Sequence, residues 1–248
     1  MIKDIINNEG LFLNKEFLNK PEKSLSIEAK EIVKIINSQE FKRHLREAVD
    51  YTKETNCESM FDIGIARLDN SIKVYFGDVI EGHPESIIDY FGIGLSSERD
   101  KKMAFEYFYK DKNKKTLEKN PNFILLANFH FHPQEFPEES FICCSAQDLL
   151  LLEKNKEQKA YEFIMIGQIG SKGDYKILFI RKLKDKEMSE ERFNMLEEEI
   201  SGFYNYPSSQ DDIMISLRGF GYKTEIIKIS KNHQISREDK KKIENFCQ

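Results

Sequence analysis

The sequence predicts an α/β (α+β) fold: a mixed central β-sheet flanked by helices, with extra helical segments at both ends. Three observations carry this expectation. Apolar residues recur at helical spacing through residues 26 to 54. Apolar and polar residues alternate from about 60 to 80, and further strand patterns follow after 160. Between these stretches lies a short, near-continuous apolar run, Phe123 to Phe129, of the kind seen in a strand buried on both faces.

The elements follow in order. The first 25 residues, broken by Pro21, read as an irregular leader or a short helix. Ser26 can cap a helix in which Ile27, Ala29, Ile32, Val33, Ile35 and Ile36 recur up to about residue 37. A second helix, about 39 to 54, carries Phe41, Leu45, Ala48, Val49 and Tyr51. Met60 to Leu68 sets Phe61, Ile63, Ile65 and Leu68 among Asp62, Gly64 and Arg67. Asp69-Asn70 then turns the chain, and Ile72 to Ile80 returns as a hairpin that Gly77, Gly82 and Pro84 bring to an end. Residues 85 to 97 read as loop. Residues 98 to 118 read as a charged helix stopped by Asn120-Pro121. A Pro- and Glu-rich loop over 133 to 140 precedes a helix that opens at Ser145. Strands at 162 to 169 and 175 to 181 flank a Gly-containing turn. Helices at 189 to 203 and 210 to 218, a strand at 223 to 229 and a last helix capped by Ser236 complete the chain. The division expected is a helical leader over 1–39, a main domain over 40–185 and an α/β extension or subdomain over 186–248.

Composition narrows the function. A chain of 248 residues can bury a full core, and 19 Phe with no Trp make Phe its main bulky material. Net charge is −5 with both signs interspersed, and acids flank the Lys clusters at 110–115 and 240–242. These are solvated helix faces, and no basic surface for nucleic acid is expected. The N-terminal residues lack the apolar core of a signal peptide, and no run is long enough to span a bilayer. The expectation is a cytoplasmic protein without a membrane partner. Cys57, Cys143, Cys144 and Cys247 show no CxxC spacing. The adjacent pair reads as small buried apolar side chains rather than as metal or redox groups. Oligomeric state leaves no signal in the sequence.

One segment points to chemistry. His130-Phe131-His132-Pro133 closes the apolar run, and Ser145-Ala146-Gln147-Asp148 follows. Strand side chains repeat every two residues, so both imidazoles can reach one ion. Asp148 stands about one helical turn beyond Ser145 and can complete the set. Three protein ligands with one open position make a catalytic zinc site rather than a structural one. The expectation is therefore one Zn²⁺ per chain, held by His130, His132 and Asp148. Only five histidines exist (His44, His83, His130, His132 and His233), and two in this placement favour a metal over packing. Ser145 has two compatible roles, as helix cap and as hydrogen-bonding neighbour of the site. A hydrolase also needs a carboxylate or imidazole to move protons. Glu58, just before the first hairpin strand, is the candidate, and Glu81, at the far end of the second, is the substitute.

These residues resemble the JAB/MPN (JAMM) family of zinc metalloproteases, whose pattern is an early Glu, then His-x-His, then Ser-x-x-Asp. Here the pattern is Glu58, His130-Phe131-His132 and Ser145-Ala146-Gln147-Asp148, within about residues 40 to 182. The resemblance implies that family's fold, with its cytidine-deaminase-like layering. It implies hydrolysis of an amide or isopeptide bond in a protein substrate, such as a ubiquitin-like or sulfur-carrier conjugate. It also implies that Glu58 shuttles the proton and that Ser145 hydrogen-bonds the oxyanion. Two departures stand out. Residues 133 to 144 make a longer spacing between the second His and the Ser than the family usually has. Ser140 suits the shorter spacing, but Cys143 stands three residues after it, and the ligand must be a carboxylate. The second departure is Phe131, where Ser or Thr is common; its side chain is expected to point away from the metal. The rival readings are a non-catalytic JAB-like scaffold that binds a partner, and a metal phosphoesterase, which usually gathers more histidines than this chain offers.

Overall fold

The computed structural model describes residues 12–13, 28–68, 71–77, 79–81, 123–133, 141–152, 161–169, 174–183, 189–205 and 209–247. Ser26, the loop at 85–97, the helix expected over 98–118 and the loop after Pro133 lie outside these residues.

Strand β1 (Phe12–Leu13) is followed by helices α1 (Ala29–Asn37) and α2 (Gln39–Thr55). Ser38 serves both helices. Its hydroxyl donates to the Ile35 carbonyl at 2.6 Å and accepts the Phe41 N–H at 3.1 Å. That closes one helix and starts the next. The helices bury Ile32, Ile35 and Ile36, and Phe41, Leu45, Ala48 and Val49, at the spacing of one helix face. Asn56, left-handed at φ 55°, ends α2 and turns the chain through Glu58 into β2 (Ser59–Leu68).

β2 pairs antiparallel with β3 (Ser71–Phe76). The return strand expected from 72 to 80 is broken at Gly77, whose N–H donates to the Asp62 carbonyl at 2.9 Å. A separate two-residue strand, β4 (Ile80–Glu81), then pairs with Ser59 and Met60. Next come β5 (Phe123–Phe131), α3 (Ala146–Leu150), β6 (Phe163–Ile169) and β7 (Tyr175–Lys182). The chain continues through α4 (Glu190–Asn205), α5 (Gln210–Gly219), β8 (Tyr222–Ile229) and α6 (Arg237–Cys247).

The fold is mixed α/β. One sheet runs in the order β1-β3-β2-β5-β6-β7-β8, with β4 also on β2. Every described neighbouring pair is antiparallel except β5 and β6, which are parallel. Parallel neighbours need a crossover rather than a hairpin, and α3 lies in that crossover. Two cores cover the two faces. α1, α2 and α6 cover one with Ile35, Phe41, Leu45, Ile243 and Phe246. α3, α4 and α5 cover the other with Leu149, Leu196, Ile200, Ile213 and Leu217. The stretch from 186 onward supplies α4, α5, β8 and α6. β8 pairs with β7 along its whole length, and α6 packs against α1 and β8. Among the described residues no helix is long and apolar enough to cross a membrane.

Candidate metal centre

The centre is built on the ends of β2 and β5. Alternation sends Ala127, Phe129 and Phe131 to the face under α1 and α2, where the Phe61 and Phe129 rings stack at 4.8 Å. It sends Asn128 and His130 to the opposite face, across from Asp62 and Met60 of β2. Both sides of β5 are thus buried, as expected, but the side carrying the histidine is polar rather than apolar. The unbroken look of the sequence run has a local cause. β5 bulges against β2, so that Ile63 faces Ala127 while Gly64 faces Leu125. Leu126, between them, joins Ala127 in the same core. Gly167 of β6 completes the support. A Cβ there would lie 2.7 Å from both the Phe129 and Phe131 rings, so only glycine lets those rings cross the strand. Phe131 therefore points away from the histidines. His132 lies just past β5, and its N–H donates to the Gly167 carbonyl at 3.0 Å.

Asp148 arrives from α3. The Ser145 hydroxyl accepts the Asp148 N–H at 3.1 Å, and Asp148 Oδ2 accepts the Ser145 N–H at 2.7 Å. This reciprocal pair fixes the carboxylate at the helix start. Asp148 Oδ1 then stands 3.2 Å from His130 Nδ1, and Oδ2 stands 3.9 Å from His132 Nε2. One ligand atom from each of the three residues lies within 4.8 Å of the others. Glu58 Oε1 is 3.6 Å from His132 Nε2. His130 and Asp148 are buried at 1% and 2% exposure, while the His132 and Glu58 side chains are 18% and 32% exposed. The His130–Asp148 side of the centre is thus buried and its His132–Glu58 side partly exposed.

The donor set fits a metal ion. Nε2 of His130 and Nε2 of His132 are buried without a hydrogen bond, and His130 Nδ1 has the Asp148 carboxylate beside it at 3.2 Å. Buried polar atoms are seldom left so, and two imidazoles with one carboxylate are the ligands a zinc-like divalent ion takes. The carboxylates give the site a field that favours a cation, so at His130 a metal would compete with a proton. Burial alone would lower the pKa of His130, but the carboxylates of Asp148, Glu58 and Asp62 outweigh it and raise it. Burial would likewise raise Asp148, but His130, His132 and the Ser145 N–H bring it down to about 2. Asp148 is therefore held ionised, as ligation requires.

Three further residues belong to this face and were not expected from the sequence. Asp62 Oδ1 accepts the Asn128 amide at 2.9 Å and the Tyr161 hydroxyl at 2.7 Å. Burial pushes the Asp62 carboxyl up to about 7 despite those two bonds and the nearby His130. The available signal was Asn128 itself, a polar residue two before His130 inside an apolar run, with Asp62 at a site-facing phase of β2. The substitute carboxylate, Glu81, pairs with Ser59 through its backbone; its side chain lies outside the described residues. His44 stacks on Phe76 in the opposite core, and His233 stacks on Tyr175. His83 lies outside the described residues. Cys143 and Cys144 are buried and, like Cys57 and Cys247, free.

Comparison with known proteins gave no match: no family model, no curated protein and no solved structure matches the chain.

Proposed function

We propose that the chain is a zinc-dependent hydrolase that cleaves an amide or isopeptide bond in a protein substrate, in the manner of the JAB/MPN metalloproteases. One observation supports this above all. His130, His132 and Asp148 converge below a half-exposed Glu58, with a serine at the start of the helix that carries the aspartate. The order Glu, His-x-His, Ser-x-x-Asp thus coincides with a neighbourhood in space. The finer fold assignment rests on the same order of motifs around the β5–α3 crossover.

His130, His132 and Asp148 would hold the ion, and Glu58 lies beside the group, 3.6 Å from His132. Zinc, when bound, supplies Lewis acidity at neutral pH. Glu58 takes a proton from the attacking water and delivers it to the leaving amine. Ser145 accepts one hydrogen bond from Asp148 and keeps its own hydroxyl proton for the substrate carbonyl as charge develops there. A donor of that kind contributes roughly 3 kcal/mol. A ubiquitin-like or sulfur-carrier conjugate is the substrate class, drawn from the resemblance of the motif.

Metal analysis of protein purified without chelator, paired with hydrolysis of an isopeptide-linked conjugate, tests the reading. The expected result is about one zinc per chain, a sharp fall in His132→Ala, and retained zinc with lost hydrolysis in Glu58→Gln. Zinc near zero in the unmodified chain overturns it. Turnover of an aryl phosphate that disappears in His130→Ala would replace it with a phosphoesterase. Full zinc with no hydrolysis of any conjugate would replace it with a partner-binding scaffold.

A further inference from the structure

We propose that Asp62 is a positioning residue for His130: it fixes which ring nitrogen carries the proton and thereby which one is free to ligate. This rests on the metal-site reading and deepens it. His130 turns Nδ1 toward Asp148, at 3.2 Å. Ligation from that nitrogen leaves the proton on Nε2, a buried donor without a hydrogen bond. Asp62 faces Asn128 across the β2–β5 pair, so His130, two residues further along β5, is its diagonal neighbour on the same face. Asp62 Oδ2 is buried and has no donor. A ring nitrogen and a carboxylate oxygen, each buried without a hydrogen-bond partner, thus sit at diagonal positions on one face of the sheet.

The other end of Asp62 is held. Tyr161 OH and Asn128 Nδ2 both donate to Oδ1, so the carboxylate keeps its orientation with Oδ2 uncommitted. Tyr161 comes from the segment entering β6, and its N–H donates to the Leu151 carbonyl at 3.1 Å. The support for His130 is thereby connected to the end of the helical segment that carries Asp148. A carboxylate behind a ligating imidazole sets the tautomer and raises ligand basicity, and losing it typically weakens metal affinity about 10- to 100-fold.

Asp62→Asn in the full chain tests this. It keeps an acceptor for Tyr161 and replaces the uncommitted oxygen by an amide that cannot accept. Two readouts are taken at pH 8, where Asp62 is ionised: zinc affinity by chelator competition, and the ring ¹⁵N shifts of His130 in the metal-free protein, which a purely structural role would leave in place. The expected outcome is a folded variant with about 10- to 100-fold weaker zinc binding and a changed His130 tautomer pattern. A folded variant with unchanged affinity and unchanged ¹⁵N shifts overturns the proposal. Should Asp62→Asn fail to fold, Tyr161→Phe decides, since it removes one donor and leaves the carboxylate. A shift in the His130 signals with weaker zinc binding supports the proposal, and a folded Tyr161→Phe with neither effect overturns it. An unmodified chain that binds no zinc takes down the metal-site reading and this inference together. Zinc binding with an indifferent Asp62→Asn takes down only the role of Asp62.

Discussion

The same two strands make two different surfaces. On the face under α1, α2 and α6, β2 and β5 present Phe61 and Phe129, joined by Phe41 at 5.8 and 5.9 Å in edge-on contacts. On the face under α3, they present Asp62, Asn128 and His130, all buried. Further along that second face, β6 and β7 return to Ile164, Ile166, Leu178 and Ile180. Polarity is thus confined to one patch of one face, backed through the sheet by an aromatic layer. The contrast teaches a division of labour. Burying polar groups is costly unless they are paired, and here the unpaired nitrogens lie among residues that could hold a metal ion, while the opposite side of the same backbone is closely packed.

The strongest way to break this contrast is to empty the aromatic side. Phe129→Ala removes a ring with no exposure and is expected to cost about 3 to 5 kcal/mol of stability, read by urea unfolding. A loss well under 1 kcal/mol would show that the polar patch does not depend on that layer. The next effect is electrostatic. The Asp62 carboxyl is raised to about 7 in the fold against an ordinary 3.8, so folding favours its protonated form. Its contribution is full below about pH 4 and is lost as pH rises through 7. Asp62→Asn removes that dependence. The unmodified chain should lose stability relative to the variant between about pH 4 and pH 7, by an amount on the order of a few kcal/mol, and level off above. Parallel pH curves would mean that Asp62 is already ionised in the fold.

Smaller changes sharpen the picture. Gly167→Ala forces a methyl against the Phe129 and Phe131 rings and is expected to cost roughly 1 to 3 kcal/mol. On the proposed function the displaced rings should also weaken zinc binding, since His130 and His132 flank Phe131. Ser145→Ala is the mildest for the fold, about 1 kcal/mol from a lost helix cap. On the proposed function it should still lower hydrolysis by roughly 10²- to 10³-fold. A loss of rate no greater than the loss of fold would leave Ser145 with its capping role alone.

Much of this was legible locally. The helical spacing of Ile32, Ile35 and Ile36, the 59–76 hairpin and the strands on either side of 170–173 follow from period and turn chemistry, which need no partner. The two pairs His130/His132 and Ser145/Asp148 were legible for the same reason, since two residues apart on a strand and three apart at a helix start are fixed offsets; that the pairs meet depends on the helix starting beside the strand, which no local offset sets. What stayed hidden depends on what lies above the sheet. Asp62 alternates with Phe61 and Ile63 like an exposed residue of a half-buried strand, and it is buried only because Tyr161 and neighbouring elements cover it. The Leu126 bulge and the break at Gly77 are matters of register between strands, set by pairing that no single strand encodes.

Asp148 divides its carboxylate between two tasks. One oxygen closes a loop with the Ser145 amide, and the other turns to His130. On the proposed function, ion occupancy and fraying of the 145–150 segment would be linked, and linkage runs both ways. A cation that grips this side chain must alter how often the segment frays, and anything that clamps the segment must alter the grip by the same factor. Nicking of the chain near residue 145 by a protease would then serve as a gauge of loading, without any substrate in the tube.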